Sequence, residues 1–311
     1  METHFNGLKQ NLELGDSFKE TVSARHNAIR SVLENAGVGI RDTKLIGSVR
    51  RKTRIHPRPE DEFDIDILVD IGDCFNWVAA NDPSGISAAQ ALGKVHSTAS
   101  SSDRYSTKRP TTDAPTITLT FADNVKVELV PALRNAGGVG PRGEAVLPVG
   151  RGYWIPQNDG SWMHADYDYE AEHISATNLA TGGRLVPAIK MLKAIRRMHI
   201  PNLRSFPLEV IAATAVPLLI SHRAQNGGGR MSDPELLQLT LLVGKELMKS
   251  PLKLGQSNSP AVVLDALTIA SASSAFDDVV ARIREAGDLT SDAAKVEAWR
   301  RIFGDAFPTR V

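Results

Sequence analysis

Between Asp61 and Ile71 the chain alternates, with Phe63, Ile65, Ile67 and Val69 on one parity and Asp64, Asp66, Leu68 and Asp70 on the other. Period two is the signature of a strand with one face in a core. Residues i and i+2 of a strand point the same way, so Asp64 and Asp66 project together while the isoleucines anchor the opposite face. Two carboxylates so placed repel unless a cation neutralises them, and hard oxygen donors are what magnesium takes. An isolated Asp-x-Asp also fits a plain solvated face, so its neighbours must decide.

Two neighbours bear on it. The run Val125 to Val130 also alternates and carries Glu128 between Val127 and Leu129; an adjacent strand would bring this third acid beside the pair. Upstream, Leu45-Ile46 leads into Gly47-Ser48, and a Gly-Ser turn entering a helix exposes backbone N–H groups and a hydroxyl to phosphate. Thr116 to Phe121 reads as a further strand, joined to Val125–Val130 across Ala122-Asp123-Asn124 as a hairpin.

Helical spacing flanks this β-rich stretch. From Asp16 to Asn35, Phe18, Val22, Ile29 and Val32 recur among charges until Gly37 and Gly39 stop the pattern. After Gly183 the chain reads as helical, with candidates at Leu185 to Met198, Pro207 to Arg223, Asp233 to Met248, Ala261 to Ala270 and Ser291 to Ile302. Ser232-Asp233-Pro234-Glu235 has the form of a helix start with proline in the first turn. Arg134 to His164, rich in Gly (137, 138, 140, 143, 150 and 152) with Trp154 and Trp162, predicts a long ordered excursion. The expectation is an α+β chain: residues 1–180 a catalytic core with an N-terminal helix, residues 181–311 a helical domain, and a cleft between them.

Composition removes several classes of function. Lys+Arg and Asp+Glu both number 36, so no overall field would hold long nucleic acid. The lone cysteine, Cys74, rules out an intramolecular disulfide framework and reads as a small buried residue. No signal pattern opens the sequence, and the apolar stretch Val210 to Ile220 is too short to span a bilayer. The expected setting is cytoplasmic, without a membrane partner. The eight histidines show no zinc-ligand spacing.

In order, Gly47-Ser48, Asp64-x-Asp66 and Glu128 resemble the signature of polymerase-β-like nucleotidyltransferases. More closely, Gly47 to Thr53, Phe63 to Ile67 and Val127 to Ala132 resemble the bacterial cGAS/DncV-like nucleotidyltransferases, the CD-NTases of SMODS type. The resemblance implies a nucleotidyltransferase core with a mixed sheet, a C-terminal helical domain and an active site in the cleft. It implies Asp64, Asp66 and Glu128 as catalytic acids holding two Mg2+ ions, with Mn2+ as a substitute. Gly47, Ser48, Lys190 and Ser205 follow as nucleotide-binding residues; Lys193, one turn on from Lys190, is the fallback, and Ser205 is equally placed to cap a helix. Ser205-Phe206-Pro207-Leu208-Glu209 is similar to the family's Ser-aromatic-x-x-Glu segment, and Trp299 to Phe307 to its aromatic terminus. The sequence departs from the family at Lys52, where many relatives have glycine, and after Lys190, where Met191-Leu192 lack the tryptophan common two positions on.

The implied activity is synthesis of a cyclic di- or trinucleotide from ATP and/or another nucleoside triphosphate in antiphage signalling of the CBASS type, with ancillary defence proteins meeting the C-terminus. A polynucleotide or tRNA nucleotidyltransferase would use the same acids but would want a broad basic surface. A protein-modifying nucleotidyltransferase of antitoxin type would be smaller and lack the long helical half, and an inactive nucleotide-binding module is a further alternative, against which the complete acid triad speaks.

Overall fold

In the computed structural model, residues 1–36, 39–73, 86–105, 111–113, 115–135 and 151–310 are described. The readings of Gly37, Cys74, Gly137, Gly138, Gly140, Gly143 and Gly150 lie outside these residues. Helices α1 (Glu2–Leu12) and α2 (Asp16–Asn35) come first. Strand β1 (Asp42–Leu45), the one-turn helix α3 (Gly47–Arg50), β2 (Phe63–Asp73) and α4 (Ala88–Ser100) follow. Next come β3 (Thr111–Asp113), β4 (Thr116–Thr120), β5 (Val125–Arg134), β6 (Tyr153–Pro156) and β7 (Trp162–Ala165). The remainder is helical: α5 (Tyr167–Ala180), α6 (Leu185–His199), α7 (Ser205–Gln225), α8 (Asp233–Leu247), α9 (Ala266–Asp288) and α10 (Asp292–Phe303).

The seven described strands form one mixed sheet in the order β1-β2-β5-β4-β3, with β6 and β7 added beyond the upper part of β5. Strands β2 and β5 run parallel, with Asp64 opposite Lys126 and Asp66 opposite Glu128. Parity then decides which face each side chain joins. Phe63, Ile65, Ile67 and Val69 pack with Val127 and Leu129 under Val22, Ile29 and Leu33 of α2. On the other face Leu68, Val130 and Ala132 are covered by Ile46, Tyr153 and Ile155. Asp64, Asp66 and Glu128 belong to that second parity, at the end where the apolar cover stops.

A separate core fills the helical half, built from α6, α7, α8 and α9 with the aromatic end of α10. Helix α1 joins this core and not the sheet. Phe5 meets Trp299, Phe303 and Phe307 edge-on, at ring-centroid distances of 4.8, 6.4 and 5.5 Å. Ile174 of α5 also packs here, so residues before 181 contribute to both cores. Helix α7 is long and apolar enough to cross a membrane by length and composition, but Leu208 to Val216 are almost wholly buried in the helical core.

Candidate active site

The Gly-Ser turn is bolted to the acidic strand by its backbone. Ile46 N–H donates to the carbonyl of Asp66 at 2.9 Å, and Gly47 follows at φ +64°. A β-carbon on Gly47 would lie 2.1 Å from Asp66 Oδ2, so glycine is demanded both by the left-handed backbone and by the close carboxylate. Beyond the short helix, the N–H groups of Thr53 and Arg54 both donate to the Ser48 carbonyl, at 2.9 and 3.1 Å. Lys52, where the resemblance noted in the sequence leads one to expect glycine, adopts φ +60°. The sequence departure therefore falls on a position whose backbone suits glycine.

A buried ionic cluster ties this turn to the helices. Glu209 of α7 is 0% exposed. It accepts from Arg51 Nε at 2.7 Å, from Arg51 Nη2 at 3.3 Å and from Lys193 Nζ at 2.7 Å. Burial alone would raise its carboxyl, but the two cations hold it down at about 2. Lys193 also donates to the Thr53 carbonyl at 3.0 Å and to Thr53 Oγ1 at 3.2 Å. Burial lowers its ammonium to about 8 because its one carboxylate is shared with Arg51, whose charge also opposes it. On its other side, Arg51 reaches Glu170, 3.4 Å away, a carboxyl that burial raises.

Alongside lies a cavity of about 390 Å³ lined by Ser48, Asp64, Lys193 and Ser205. Arg54, Arg58, Arg196 and Arg197 add positive charge, against Asp61 and Glu62. Ser205 is the first residue of α7; the N-cap is Arg204, which makes no side-chain cap bond. Four of the residues expected to bind nucleotide or metal thus gather around one turn and one strand: Gly47, Ser48, Asp64 and Asp66. Ser205 joins them from α7. Glu128 stands beside Asp66 in register. Lys190 does not line this cavity. Its ammonium donates to Glu13 Oε2 at 2.6 Å and borders a different cavity. The cavity wall brings Lys193 in instead, held from within by Glu209, which also binds Arg51 in a buried role that no sequence spacing announced.

The acids fit a divalent cation by donor type and placement. All three are hard carboxylates on one face, and the Asp66 carboxyl is raised by burial and by the charge of Asp64. They are not closed into a ligand set: among the described residues no three acid, histidine or cysteine side chains gather tightly enough to hold a metal. Asp64 Oδ2 lies 3.6 Å from Arg54, and the Asp66 carboxylate is turned toward Gly47.

A strand pair bearing three acids, a Gly-Ser turn and a helical half across a cleft define a nucleotidyltransferase of the polymerase-β-like class. Residues 1–178 match the Second Messenger Oligonucleotide or Dinucleotide Synthetase domain, and the chain belongs to that family. Solved structures agree in fold. Vibrio cholerae DncV cyclic AMP-GMP synthase, in complex with the linear intermediate pppA(3′,5′)pG, has 11% identity and a TM-score of 0.73, over 98% of this chain and 94% of that one. Bradyrhizobium diazoefficiens CdnG, a CD-NTase in complex with GTP, has 14% identity and a TM-score of 0.69, over 98% and 95%. Escherichia coli MS115-1 CdnC with ATP has 14% identity and a TM-score of 0.68, over 99% and 98%; the same protein is known in complex with HORMA-deltaN. A comparison with curated proteins finds no match.

Proposed function

We propose that the chain joins nucleoside triphosphates into a cyclic di- or trinucleotide second messenger. The observation that carries this reading is one cavity wall shared by Ser48, Asp64, Lys193 and Ser205, with Asp66 and Glu128 beside it on paired strands. In a family defined by oligonucleotide synthesis, such a wall suits a triphosphate tail.

Ser48 and Ser205 would donate to the tail, and Lys193 would neutralise it as a point charge; this role goes to Lys193 and not to Lys190, which lies outside the cavity. Arg54, Arg196 and Arg197 add to the field. Asp64, Asp66 and Glu128 would hold magnesium, or manganese, which when bound supplies charge neutralisation and a lowered pKa for the attacking ribose hydroxyl. The hydroxyl oxygen of one nucleotide then bonds to the α-phosphorus of another while pyrophosphate leaves in line, and the same displacement within the linear product closes the ring. Positioning and electrostatics do the catalysis, and no side-chain nucleophile is required. A cytoplasmic place in antiphage signalling of the CBASS type, with ancillary protein partners of the kind CdnC meets in HORMA-deltaN, belongs to the same proposal.

The test is incubation of the purified chain with four radiolabelled nucleoside triphosphates and magnesium, followed by phosphatase and mass spectrometry. A phosphatase-resistant cyclic product, absent from Asp64→Asn/Asp66→Asn, is expected. Tailing of added RNA with no cyclic product, or no product from a folded chain under any nucleotide combination, would overturn the reading.

A further inference from the structure

A second cavity of about 390 Å³ borders the segment that follows the Gly-Ser turn, sharing only Arg54 with the nucleotide cavity. Its floor is apolar: Leu14 from the connection between α1 and α2, Val22 from α2, Leu45 from β1 and Val49 from α3. Its charged groups are of nearly one sign, with Lys19, Lys52, Arg54 and Lys190 against Glu13. An apolar cradle rimmed by cations suits a ligand with a hydrophobic body and an anionic head.

Lys190 identifies where that head would sit. Its side chain is 5% exposed, and its ion pair is with Glu13, whose side chain is 54% exposed. A buried ammonium paired with a half-exposed carboxylate at a cavity mouth is already reading carboxylate chemistry, and Glu13 can swing into water when another anion takes its place. Phosphate or sulfonate oxygens would satisfy the same group. Neither the domain match nor the two-metal reading uses this cavity.

The wall between the two cavities is one short segment. Val49, Lys52 and Arg54 border the second cavity, whereas Ser48 and Arg54 border the nucleotide cavity. Arg54 faces both, and Lys52 sits at φ +60°, in a conformation that L residues adopt at a cost. A ligand pressing on Val49 and drawing Lys52 or Arg54 toward itself would shift the segment that carries Ser48.

We propose that the cavity between α2 and α3 is a second ligand site, for a small organic anion with an apolar ring or chain. Its occupancy changes nucleotide affinity through the 47–54 segment. The coupling half rests on the nucleotide reading of the first cavity; the site itself does not, because binding is measured without catalysis.

The probe is 8-anilinonaphthalene-1-sulfonate, which joins an aromatic body to one anion, titrated by fluorescence into the full chain with a saturating non-hydrolysable ATP analogue. Saturable binding of one equivalent is expected, weakened at least tenfold by Ser23→Trp, which fills the cavity from the exposed side of α2. Lys190→Gln should weaken it severalfold, and the uncharged analogue N-phenyl-1-naphthylamine should bind at least tenfold more weakly. If Ser23→Trp fails to fold, Lys190→Gln and the uncharged probe carry the test. Binding indifferent to both substitutions, or abolished by the nucleotide analogue at every probe concentration, would overturn the site. With the probe saturating, the dissociation constant of the nucleotide analogue should move at least threefold, and by reciprocity the nucleotide should move the probe's equally. An unchanged value would overturn the coupling.

Discussion

Replacing Glu209 by glutamine keeps the shape of the side chain and removes the charge on which the buried cluster closes. Arg51 and Lys193, 7% and 5% exposed, would be left with each other and with Glu170, which pairs with Arg51 at 3.4 Å and forms no ion pair with Lys193. Removing one partner of a buried ion pair costs roughly 3–5 kcal/mol, because the other charge stays desolvated. The titration of Glu209 gives a similar magnitude: a fall from 4.5 to about 2 corresponds to about 3 kcal/mol at 1.36 kcal/mol per unit. The sign follows from a depressed folded value. The stabilisation is complete above the unfolded value of 4.5 and is lost as pH falls toward 2. Urea unfolding followed by circular dichroism at neutral pH should therefore show Glu209→Gln less stable by about 3 kcal/mol. The gap to the parent should narrow as pH falls through the window from 4.5 to about 2. Adding Lys193→Met should restore part of the loss, since one stranded cation is gone. A loss below about 1 kcal/mol, or the same loss with and without Lys193, would refute the idea that Glu209 is the cluster's charge anchor.

Other outcomes follow from the same geometry. Asp64→Ala with Asp66→Ala should abolish product while leaving the thermal midpoint unchanged or higher, because like charges are removed; retained synthesis in magnesium would refute the acid assignment. Nucleotide affinity, measured by calorimetry, should fall as pH rises through about 8, where Lys193 loses its proton, and not only near the usual lysine range of 10.5. Lys193→Met should flatten that profile. Gly47→Ala should lose activity and at least about 1–2 kcal/mol of stability, read by urea melts, from its left-handed backbone alone. Lys52→Gly should gain about 0.5–1 kcal/mol, since relief of the left-handed conformation outweighs the added chain entropy.

How much of this was legible in the sequence depends on whether a residue's surroundings were local. The acidic strand was plain because its first half alternates in burial, with Phe63, Ile65 and Ile67 buried between the partly exposed Asp64 and Asp66, whereas beyond Ile67 both faces are covered. Helix α2 spans Asp16–Asn35, as its amphipathic spacing predicts. Helix α8 begins where Ser232 accepts from Glu235 N–H, as the Ser-Asp-Pro-Glu pattern announces. Strand β6 was hidden because all four of its residues are buried, which erases alternation. The helix expected from Ala261 begins at Ala266 instead, since Val262 is used in a bridge to Leu252. Helix α4, largely alanine, serine and threonine, offered little periodic contrast. The two lysines of α6 show the limit most clearly: both are buried and lie three residues apart, yet they border different cavities. Which one lines the cavity of Ser48 and Asp64 depends on what α1, α2 and α7 bring to each side, and no spacing within α6 contains that.

The aromatic cluster of Phe5, Trp299, Phe303 and Phe307 sets an order of assembly. Helix α1 leaves the ribosome well before the rings it packs on, which lie about three hundred residues later in the chain. At roughly 5–20 residues per second, α1 waits on the order of 15–60 s for its partner, with Phe5, Leu8 and Leu12 exposed. The sheet and α2 lie wholly within the earlier chain and can be in place long before. During synthesis, then, the nascent chain carries a nearly complete acidic sheet beside an unclosed helical half, and the cavity wall that needs Lys193 and Ser205 is assembled only after α6 and α7 have followed.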